Sequence, residues 1–244
     1  MHRLTSYVFN SCKSVRNKER CYFRFLALKT LLILCLKTNA QELDNYNFYN
    51  VSEGLSHKRV HTIAQDDDGF IWIGTYGGLN RYNGIEFDIY ENGEDPYSLP
   101  GDDVSDLLTD VNGNLWVGTN NGLAKYSKLQ DNFQIFKKET HHNLSSNAIQ
   151  EIAQAENNTL WIATDQGVCY YRDRQFTRIK SIPPVLIRTI SIDNDGNVWA
   201  GTNEEIYVIT QNDNLVSVLS DIFESTYEVT SSEVDILIMS IGMI

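Results

Sequence analysis

All four tryptophans of this chain fall at the same place in one repeated phrase. The copies are residues 71–75, 115–119, 160–164 and 198–202, and the tryptophans Trp72, Trp116, Trp161 and Trp199 are spaced by 44, 45 and 38 residues. Apolar residues recur twelve and nine positions before each tryptophan, namely Val60 and Ile63, Val104 and Leu107, Ile149 and Ile152, and Ile187 and Ile190. This self-similarity predicts a fold built from about four copies of one structural unit.

Each unit has the pattern of four short β-strands. The first strand carries the spaced apolar pair and ends in an Asp-x-x-Gly turn such as residues 66–69. The second is the tryptophan phrase, and a glycine such as Gly78, Gly122 or Gly167 opens the turn into the third. The fourth is an aromatic run, as at residues 87–90. Because no part of the body shows a helical apolar period, the fold class is predicted to be all-β.

The tryptophan phrase is apolar on both of its faces, which favours a β-propeller over a two-sheet sandwich. A sandwich strand alternates one buried and one wet face, whereas a propeller blade buries both faces against its neighbours. We therefore expect about four recognisable four-stranded blades in an incomplete ring. The structural repeat positions are the four tryptophans together with Gly74, Gly118 and Gly201.

The repeat register also predicts the organisation of the chain. The expected segments are a signal peptide (1–40), an N-terminal outer strand and lead-in (41–54), blades 1 to 4 (55–98, 99–143, 144–182 and 183–220) and a tail (221–244). The tail ends in an apolar stretch over residues 233–244, which could begin a fifth blade cut short.

Charge separates the leader from the body. Residues 1–40 carry eight Lys or Arg and one Glu, whereas residues 41–244 carry 12 basic and 31 acidic groups. A basic segment, an apolar run of about a dozen residues and a small residue at Ala40 are typical of a secretory signal, so a periplasmic or secreted location with cleavage near Ala40 is predicted. The alternative is a buried N-terminal helix. The acidic body disfavours binding to nucleic acid or to an anionic membrane surface.

The sequence offers no convincing catalytic, metal or cofactor site. Cys169 is the one cysteine outside the leader and sits in a strand-like run, so a buried apolar role is expected. The Asp-rich turn at 66–69 does not have the spacing of a calcium loop, and His57 and His61 lack the glutamate and helix of a zinc protease motif.

The phrase that runs from Val60 through Asp66, Gly69 and Trp72 to Tyr82 resembles the two-component regulator propeller repeat. So does the lead-in at residues 53–56, and the similarity covers about residues 44–209. The third copy departs from the pattern at Ala155, Asn158 and Ala163, and the fourth departs at Glu205 and Ile209.

The resemblance implies the exported sensor region of hybrid two-component histidine kinases of the Bacteroidetes type. Such proteins carry about fourteen blades in two propellers, then a β-sandwich, a membrane helix and a kinase core, and they typically bind oligosaccharides. Because none of these downstream parts is recognised here, we expect a truncated member that is not itself an enzyme. Its contact with a membrane would come only through the missing downstream segment.

A ligand is expected on the rim where loops between blades meet the turns that follow each Gly-Thr phrase. The candidate ligand-binding residues there are Arg59, Tyr76, Asp102, Asn120, Asp165 and Asn203. Polar and aromatic side chains suit a sugar, which needs hydroxyl hydrogen bonds and a flat stacking surface. The alternative is that these are solvated turn residues.

Three functions remain open from the sequence. The first is a periplasmic module that senses a small molecule or oligosaccharide, with a homodimer as a further expected partner. The second is a secreted carbohydrate-active hydrolase or lyase, for which the candidate carboxylates are Asp102, Asp103 and Asp165. The third is a protein-interaction platform.

Overall fold

The computed structural model describes residues 47–210 and, for their backbone, residues 215–218. The chain divides into two compact units, residues 1–48 and 49–244, and the strands lie in the second. They are β1 (Val60–Gln65), β2 (Ile71–Thr75), β3 (Gly78–Tyr82), β4 (Phe87–Tyr90), β5 (Val104–Thr109), β6 (Leu115–Thr119), β7 (Gly122–Ser127), β8 (Asn132–Phe136), β9 (Ile149–Gln154), β10 (Leu160–Thr164), β11 (Gly167–Arg172), β12 (Gln175–Arg178), β13 (Thr189–Ile192), β14 (Val198–Gly201), β15 (Ile206–Ile209) and β16 (Leu215–Val218).

These strands form four antiparallel meanders in chain order, β1–β4, β5–β8, β9–β12 and β13–β16. We call the four sheets blades 1 to 4, and they fall within residues 55–98, 99–143, 144–182 and 183–220. The all-β prediction is therefore confirmed, and the repeat unit is a four-stranded sheet.

A threonine holds the turn between the second and third strands of every blade. The hydroxyl of Thr75 donates to the carbonyl of Gly78 at 2.9 Å and accepts from the amide of Gly77 at 3.1 Å. Thr119, Thr164 and Thr202 make the same pair of contacts. In blades 1 to 3 the residue whose carbonyl accepts from the threonine is a glycine with a left-handed backbone, such as Gly78 with a φ of 123°, whereas blade 4 has Glu205 there.

An aspartate holds the turn between the first and second strands in three of the blades. One carboxylate oxygen of Asp66 accepts from the amides of Asp68 and Phe70, and the other accepts from the indole N–H of Trp72 at 2.8 Å. Asp110 with Trp116 and Asp193 with Trp199 repeat the arrangement. Both carboxylate oxygens of Asp66 therefore accept hydrogen bonds within this segment, which agrees with the prediction that residues 66–69 form a turn.

The blades pack face to face in chain order, with their first strands side by side. Strand β1 lies against β5, β5 against β9 and β9 against β13. Three separate buried clusters fill the junctions: Trp72 belongs to the first, Trp116 to the second and Trp161 to the third. Each tryptophan thus packs in its own wedge between consecutive sheets, which is the arrangement of propeller blades and not of a sandwich.

In the described residues the four blades form an arc and not a closed ring. At the inner junctions the spaced apolar pair of each first strand is buried, with Val104 fully buried and Leu107 7% exposed. On blade 1 the equivalent Val60 is 43% exposed and Ile63 is 64% exposed. The first blade therefore presents an uncovered apolar edge.

The segment predicted as an outer strand and lead-in, residues 41–54, is described from residue 47 onward. Residues 47–50 form no strand, and Val51–Glu53 form a short 3-10 turn capped by Asn50 and Glu53. Asn50 and Glu53 satisfy each other's backbone amides, which favours a tight turn over an extended strand. The ring of Tyr49 then packs on Tyr82 and Phe87 of blade 1.

Two further predictions lie outside the described residues, namely the signal peptide at 1–40 and the tail at 221–244. Within the described part of the chain, no helix has the length and apolar character needed to cross a membrane.

Candidate functional site

Two families of loops meet on one face of the arc, as the sequence predicts. In blades 1 to 3 the residue after the threonine of the tryptophan phrase donates its backbone amide to the loop that enters the first strand of the same blade. These hydrogen bonds join Tyr76 to Arg59 (3.1 Å), Asn120 to Asp103 (3.0 Å) and Asp165 to Ala148 (3.2 Å). We call this face, defined by these residues together with Asn203, the junction rim.

The ring of Tyr76 is the main aromatic surface of the junction rim. It is 51% exposed, and the guanidinium carbon of Arg59 lies 5.9 Å from its centroid. The imidazoles of His57 and His61 lie 5.6 and 6.4 Å from the same ring. An exposed ring edged by cationic and hydrogen-bonding side chains can stack on a sugar and donate to its hydroxyl groups.

The two aspartates that enter blade 2 have different surroundings. One carboxylate oxygen of Asp102 accepts from the amide of Asn92 at 2.6 Å, so this predicted residue helps to hold its own loop. The Oδ1 atom of Asp103 lies 3.9 Å from Nδ1 of His61. That oxygen is buried and has no hydrogen-bond partner among the described residues.

The remaining predicted residues are distributed along the rim over blades 2 to 4. Asn120 is exposed, and Oδ1 of Asp165 is a second buried carboxylate oxygen without a hydrogen-bond partner in the described part of the chain. Asn203 accepts a hydrogen bond from Nε of Arg188 at 3.1 Å. The structure thus gathers Arg59 and Tyr76 into one cluster and places Asn120, Asp165 and Asn203 on successive blades.

Two residues of this face, His61 and Arg188, are not among the residues that the sequence predicts for the rim. His61 and Arg188 could have been found from their equivalent positions in the repeat, because each directly follows the leading apolar residue of its first strand. That position holds His61, Ser105, Gln150 and Arg188 in the four blades, and all four are polar.

Carboxylates of the first strands tie neighbouring blades together beneath the rim. Asp106 accepts from the hydroxyl of Thr62 on blade 1 at 3.3 Å and from the amide of Ile152 on blade 3 at 2.7 Å. Burial raises the pKa of Asp106, although these hydrogen bonds oppose the rise. Glu151 repeats the contact by accepting from the amide of Ile190 on blade 4. These carboxylates therefore stabilise the packing of neighbouring blades.

The opposite face carries two clefts between neighbouring blades. One, of about 480 Å³, lies between blades 2 and 3 and is lined by His141, Lys125, Arg172 and Arg174 among others. The other, of about 500 Å³, lies between blades 1 and 2 beside the Asp-rich turn at 66–69. Across residues 47–210, no three His, Cys, Asp or Glu side chains are grouped so that they could hold a metal ion.

The stacked four-stranded sheets, with a buried tryptophan in each of the three junctions between them, define a β-propeller repeat protein. A family model described as the two component regulator propeller matches residues 54–77, 98–121 and 181–204. Three separate stretches of the chain are thus similar to the two component regulator propeller repeat. The unmatched stretch contains blade 3, whose turn has Ala155 in place of the aspartate and Asn158, with a φ of 64°, in place of the glycine.

The chain is also similar to one curated protein and to two solved structures. The chain is 32% identical over 81 residues to histidine kinase P4 of Formosa agariphila, which covers 31% of this chain and 6% of that protein. The extracellular domain of the hybrid two component system BT3049 of B. thetaiotaomicron is 22% identical, covering 70% of this chain and 31% of that one, with a TM-score of 0.48. A catalytically inactive virginiamycin B lyase of Staphylococcus aureus is 16% identical, covering 68% and 57%, with a TM-score of 0.53. The lyase shares the fold alone.

Proposed function

We propose that this chain is a ligand-binding sensor module of a two-component system that acts outside the cytoplasm. The observation that carries the proposal is the junction rim, where the half-exposed ring of Tyr76 stands among Arg59, His57 and His61. The three matches to the two component regulator propeller model support the sensor role, as does the similarity of 81 residues to a histidine kinase.

An oligosaccharide is the ligand class that best suits this rim. Tyr76 offers a flat apolar face, and polar side chains from successive blades offer hydrogen bonds along it. A linear chain of sugar rings could contact Tyr76 first and then reach Asn120 and Asp165 on the next two blades. Binding would bias the arrangement of paired sensor chains, which a membrane segment of the complete receptor would relay to its kinase.

Calorimetric titration with a panel of neutral and acidic oligosaccharides tests this proposal. We expect one or more to bind the full chain and the Tyr76→Ala/Asp165→Ala variant to lose at least tenfold in affinity. The matched control is Tyr97→Ala, which removes an exposed tyrosine beside the outer strand β8. Unchanged affinity in the double variant would remove the rim from the binding site, and no binding across the panel would contradict the ligand class.

A carbohydrate-active hydrolase or lyase is the second candidate. The observation that favours it is that Asp103 and Asp165 each keep a buried carboxylate oxygen without a hydrogen-bond partner in the described residues. Sugar hydrolysis requires a pair of such carboxylates facing the bond that breaks. Release of new reducing or unsaturated ends from an oligosaccharide, abolished by Asp103→Asn and by Asp165→Asn, would favour the enzyme over the sensor.

A further inference from the structure

A polar network lies beside the tryptophan of the junction between blades 1 and 2. The guanidinium carbon of Arg81 is 5.6 Å from the centroid of the Trp72 ring, and the guanidinium donates to the hydroxyl of Tyr126 at 2.7 Å. The same guanidinium pairs with two carboxylates, Asp88 at 2.9 Å and Asp131 at 3.1 Å. The hydroxyl of Tyr126 also donates to Asp131 at 2.6 Å. Acids of the protein itself therefore balance the positive charge of Arg81.

The equivalent corner between blades 2 and 3 keeps the cation and the phenol. Lys125 takes the place of Arg81, because each is paired with its tryptophan on the neighbouring strand. The Lys125 ammonium lies 5.5 Å from the centroid of the Trp116 ring. Tyr171 takes the place of Tyr126, and its ring centroid is 5.3 Å from that of Trp116.

Neither of the two carboxylates is kept at this second corner. Gln134 lies opposite Lys125 in the paired strand, at the position of Asp88. The residue directly before the fourth strand is Arg174, at the position of Asp131, and both have a left-handed backbone, with φ values of 62° and 49°. An amide has thus replaced one acid, and a second cation has replaced the other.

These replacements leave three hydrogen-bond donors together. Among residues 47–210, no hydrogen bond or ion pair engages the ammonium of Lys125, the guanidinium of Arg174 or the hydroxyl of Tyr171. Burial raises the pKa of Tyr171, and the positive charge of Arg174 opposes this rise, so the guanidinium acts on the phenol. All three residues line the cleft of about 480 Å³ between blades 2 and 3.

The cleft is a basic region of an acidic body. Three of the 12 basic residues in residues 41–244 line it, namely Lys125, Arg172 and Arg174, together with two acids. One of these acids, Asp110, has both carboxylate oxygens engaged by an indole N–H and by groups of its own turn. The other, Asp173, is exposed. An anion is therefore expected to concentrate here and not on the surrounding surface.

We propose that this cleft binds the carboxylate of a small acidic sugar, such as a uronic acid, at the place that the Asp131 carboxylate takes in the neighbouring junction. A carboxylate accepts hydrogen bonds at both oxygens, and charge-assisted bonds from an ammonium and a guanidinium are the strong ones. Lys125, Arg174 and Tyr171 supply such donors. The site lies on the face opposite the junction rim and does not depend on the function proposed for the rim.

The rest of the cleft favours a sugar acid over a simple carboxylate. The side-chain amides of Gln134 and Asn158 line it, and each can donate to and accept from hydroxyl groups. The imidazole of His141 lies in the same lining.

Calorimetric titration of the full chain with sodium glucuronate tests the proposal, with glucose and sodium chloride at the same concentrations as reference ligands. We expect glucuronate to bind, and Lys125→Gln/Arg174→Gln to weaken its binding by about tenfold or more, because two charged donors are lost. The matched control Lys138→Gln/Lys180→Gln removes the same charge from exposed lysines outside the cleft and should leave the affinity unchanged.

The variant Arg174→Asp gives a second test, because it places at this corner the acid that blade 2 carries. The new carboxylate should pair with Lys125 as Asp131 pairs with Arg81, so glucuronate binding should be lost while the thermal unfolding temperature is maintained. In the parent chain, glucuronate should raise that temperature more than an equal concentration of sodium chloride does.

The rim variant Tyr76→Ala/Asp165→Ala separates this site from the one proposed on the opposite face. Glucuronate binding that is kept in the rim variant and lost in both cleft variants supports the proposal. The proposal is overturned if glucuronate binds no better than glucose, if binding survives in either cleft variant, or if the rim variant alone abolishes it.

Discussion

The carboxylate of Asp110 accepts a hydrogen bond from the indole N–H of Trp116 at 2.8 Å, which joins the turn of blade 2 to its buried junction. The same side chain accepts from the backbone amides of Asn112 and Asn114, each at 2.9 Å. One acid therefore satisfies the tight turn and the single polar atom of a tryptophan that is 2% exposed.

Replacing Asp110 with alanine should lower the free energy of unfolding by about 2–3 kcal/mol, because it leaves a buried indole N–H and turn amides without their charged acceptor. Urea denaturation followed by circular dichroism measures this loss. The control is Asp67→Ala, an exposed carboxylate in the equivalent turn of blade 1, and it should cost less than about 0.5 kcal/mol. Equal losses in the two variants would contradict this role for Asp110.

Stability should fall below about pH 4 because of these turn acids. Burial would raise the pKa of Asp110 and Asp193, but the indole of the tryptophan and the turn amides outweigh burial and hold both pKa values below their ordinary range. An acid whose pKa is lowered by folding contributes stability above its unfolded pKa of about 3.9 and loses it as the pH falls through the folded value.

The Asp110→Asn/Asp193→Asn variant tests this origin of the acid sensitivity. Asparagine keeps an acceptor oxygen but does not titrate, so the variant should lose less stability between pH 5 and pH 2 than the parent chain. The raised pKa of Asp106 acts in the opposite direction in both proteins and cancels in the comparison. Parallel pH profiles would contradict the prediction.

A methyl group at Gly118 should destabilise the junction between blades 2 and 3. Its Cβ atom would lie 2.8 Å from Cγ2 of Ile149, and overpacking of this kind costs about 1–3 kcal/mol. Gly118→Ala measured alone and with Ile149→Ala forms a double-mutant cycle, in which truncating Ile149 should recover part of the loss. Gly84→Ala, at an exposed turn with no atom within 4 Å of the added Cβ but with a φ of 95°, adds backbone strain without a clash. Gly93→Ala meets no atom closer than the Oγ atom of Ser98 at 3.0 Å and is the control that should cost little. A cycle with no coupling would show that the close approach is unimportant.

Cys169 should resist alkylation while the protein is folded. The thiol is fully buried in the junction between blades 2 and 3, and burial raises its pKa to about 11. Iodoacetamide at pH 8 should therefore label the peptide that contains Cys169 only after addition of denaturant, as mass spectrometry can follow. Rapid labelling of the native chain would place this thiol at the surface.

Much of the architecture could be predicted from the sequence because its determinants recur along the chain. The four tryptophans, the glycines that follow two residues later and the spaced apolar pairs all mark contacts between one blade and the next. Because this contact occurs three times, it produces a periodic pattern in the sequence, and the contact can be inferred from that pattern. The left-handed turns at Gly78, Gly122 and Gly167 were predictable for the same reason, since each sits at one place in the unit.

Predictions that depended on a single, unrepeated feature succeeded less well. Residues 47–50, the described part of the segment expected to carry an outer strand, form no strand. The capped turn over residues 51–53 that follows them depends on the local pairing of Asn50 with Glu53. Asp102 remains a candidate ligand-binding residue, and one of its carboxylate oxygens accepts from the amide of Asn92 ten residues away. The capped turn has no counterpart in the other blades, whereas the Asp102 contact recurs in blade 3, where Asn147 accepts from the amide of Lys138 at 2.7 Å.

The sequence by itself determined that this chain is a series of four-stranded units which bury their tryptophans between them. Only the tertiary structure decided which polar side chains meet, such as His61 near Asp103 and Arg188 with Asn203, and which apolar edges remain uncovered. The physical reason is that each blade buries its apolar face against the next, so the same apolar pattern recurs in every unit of the sequence. A hydrogen bond on the rim depends instead on the distance and direction between two particular loops, which no repeated pattern records.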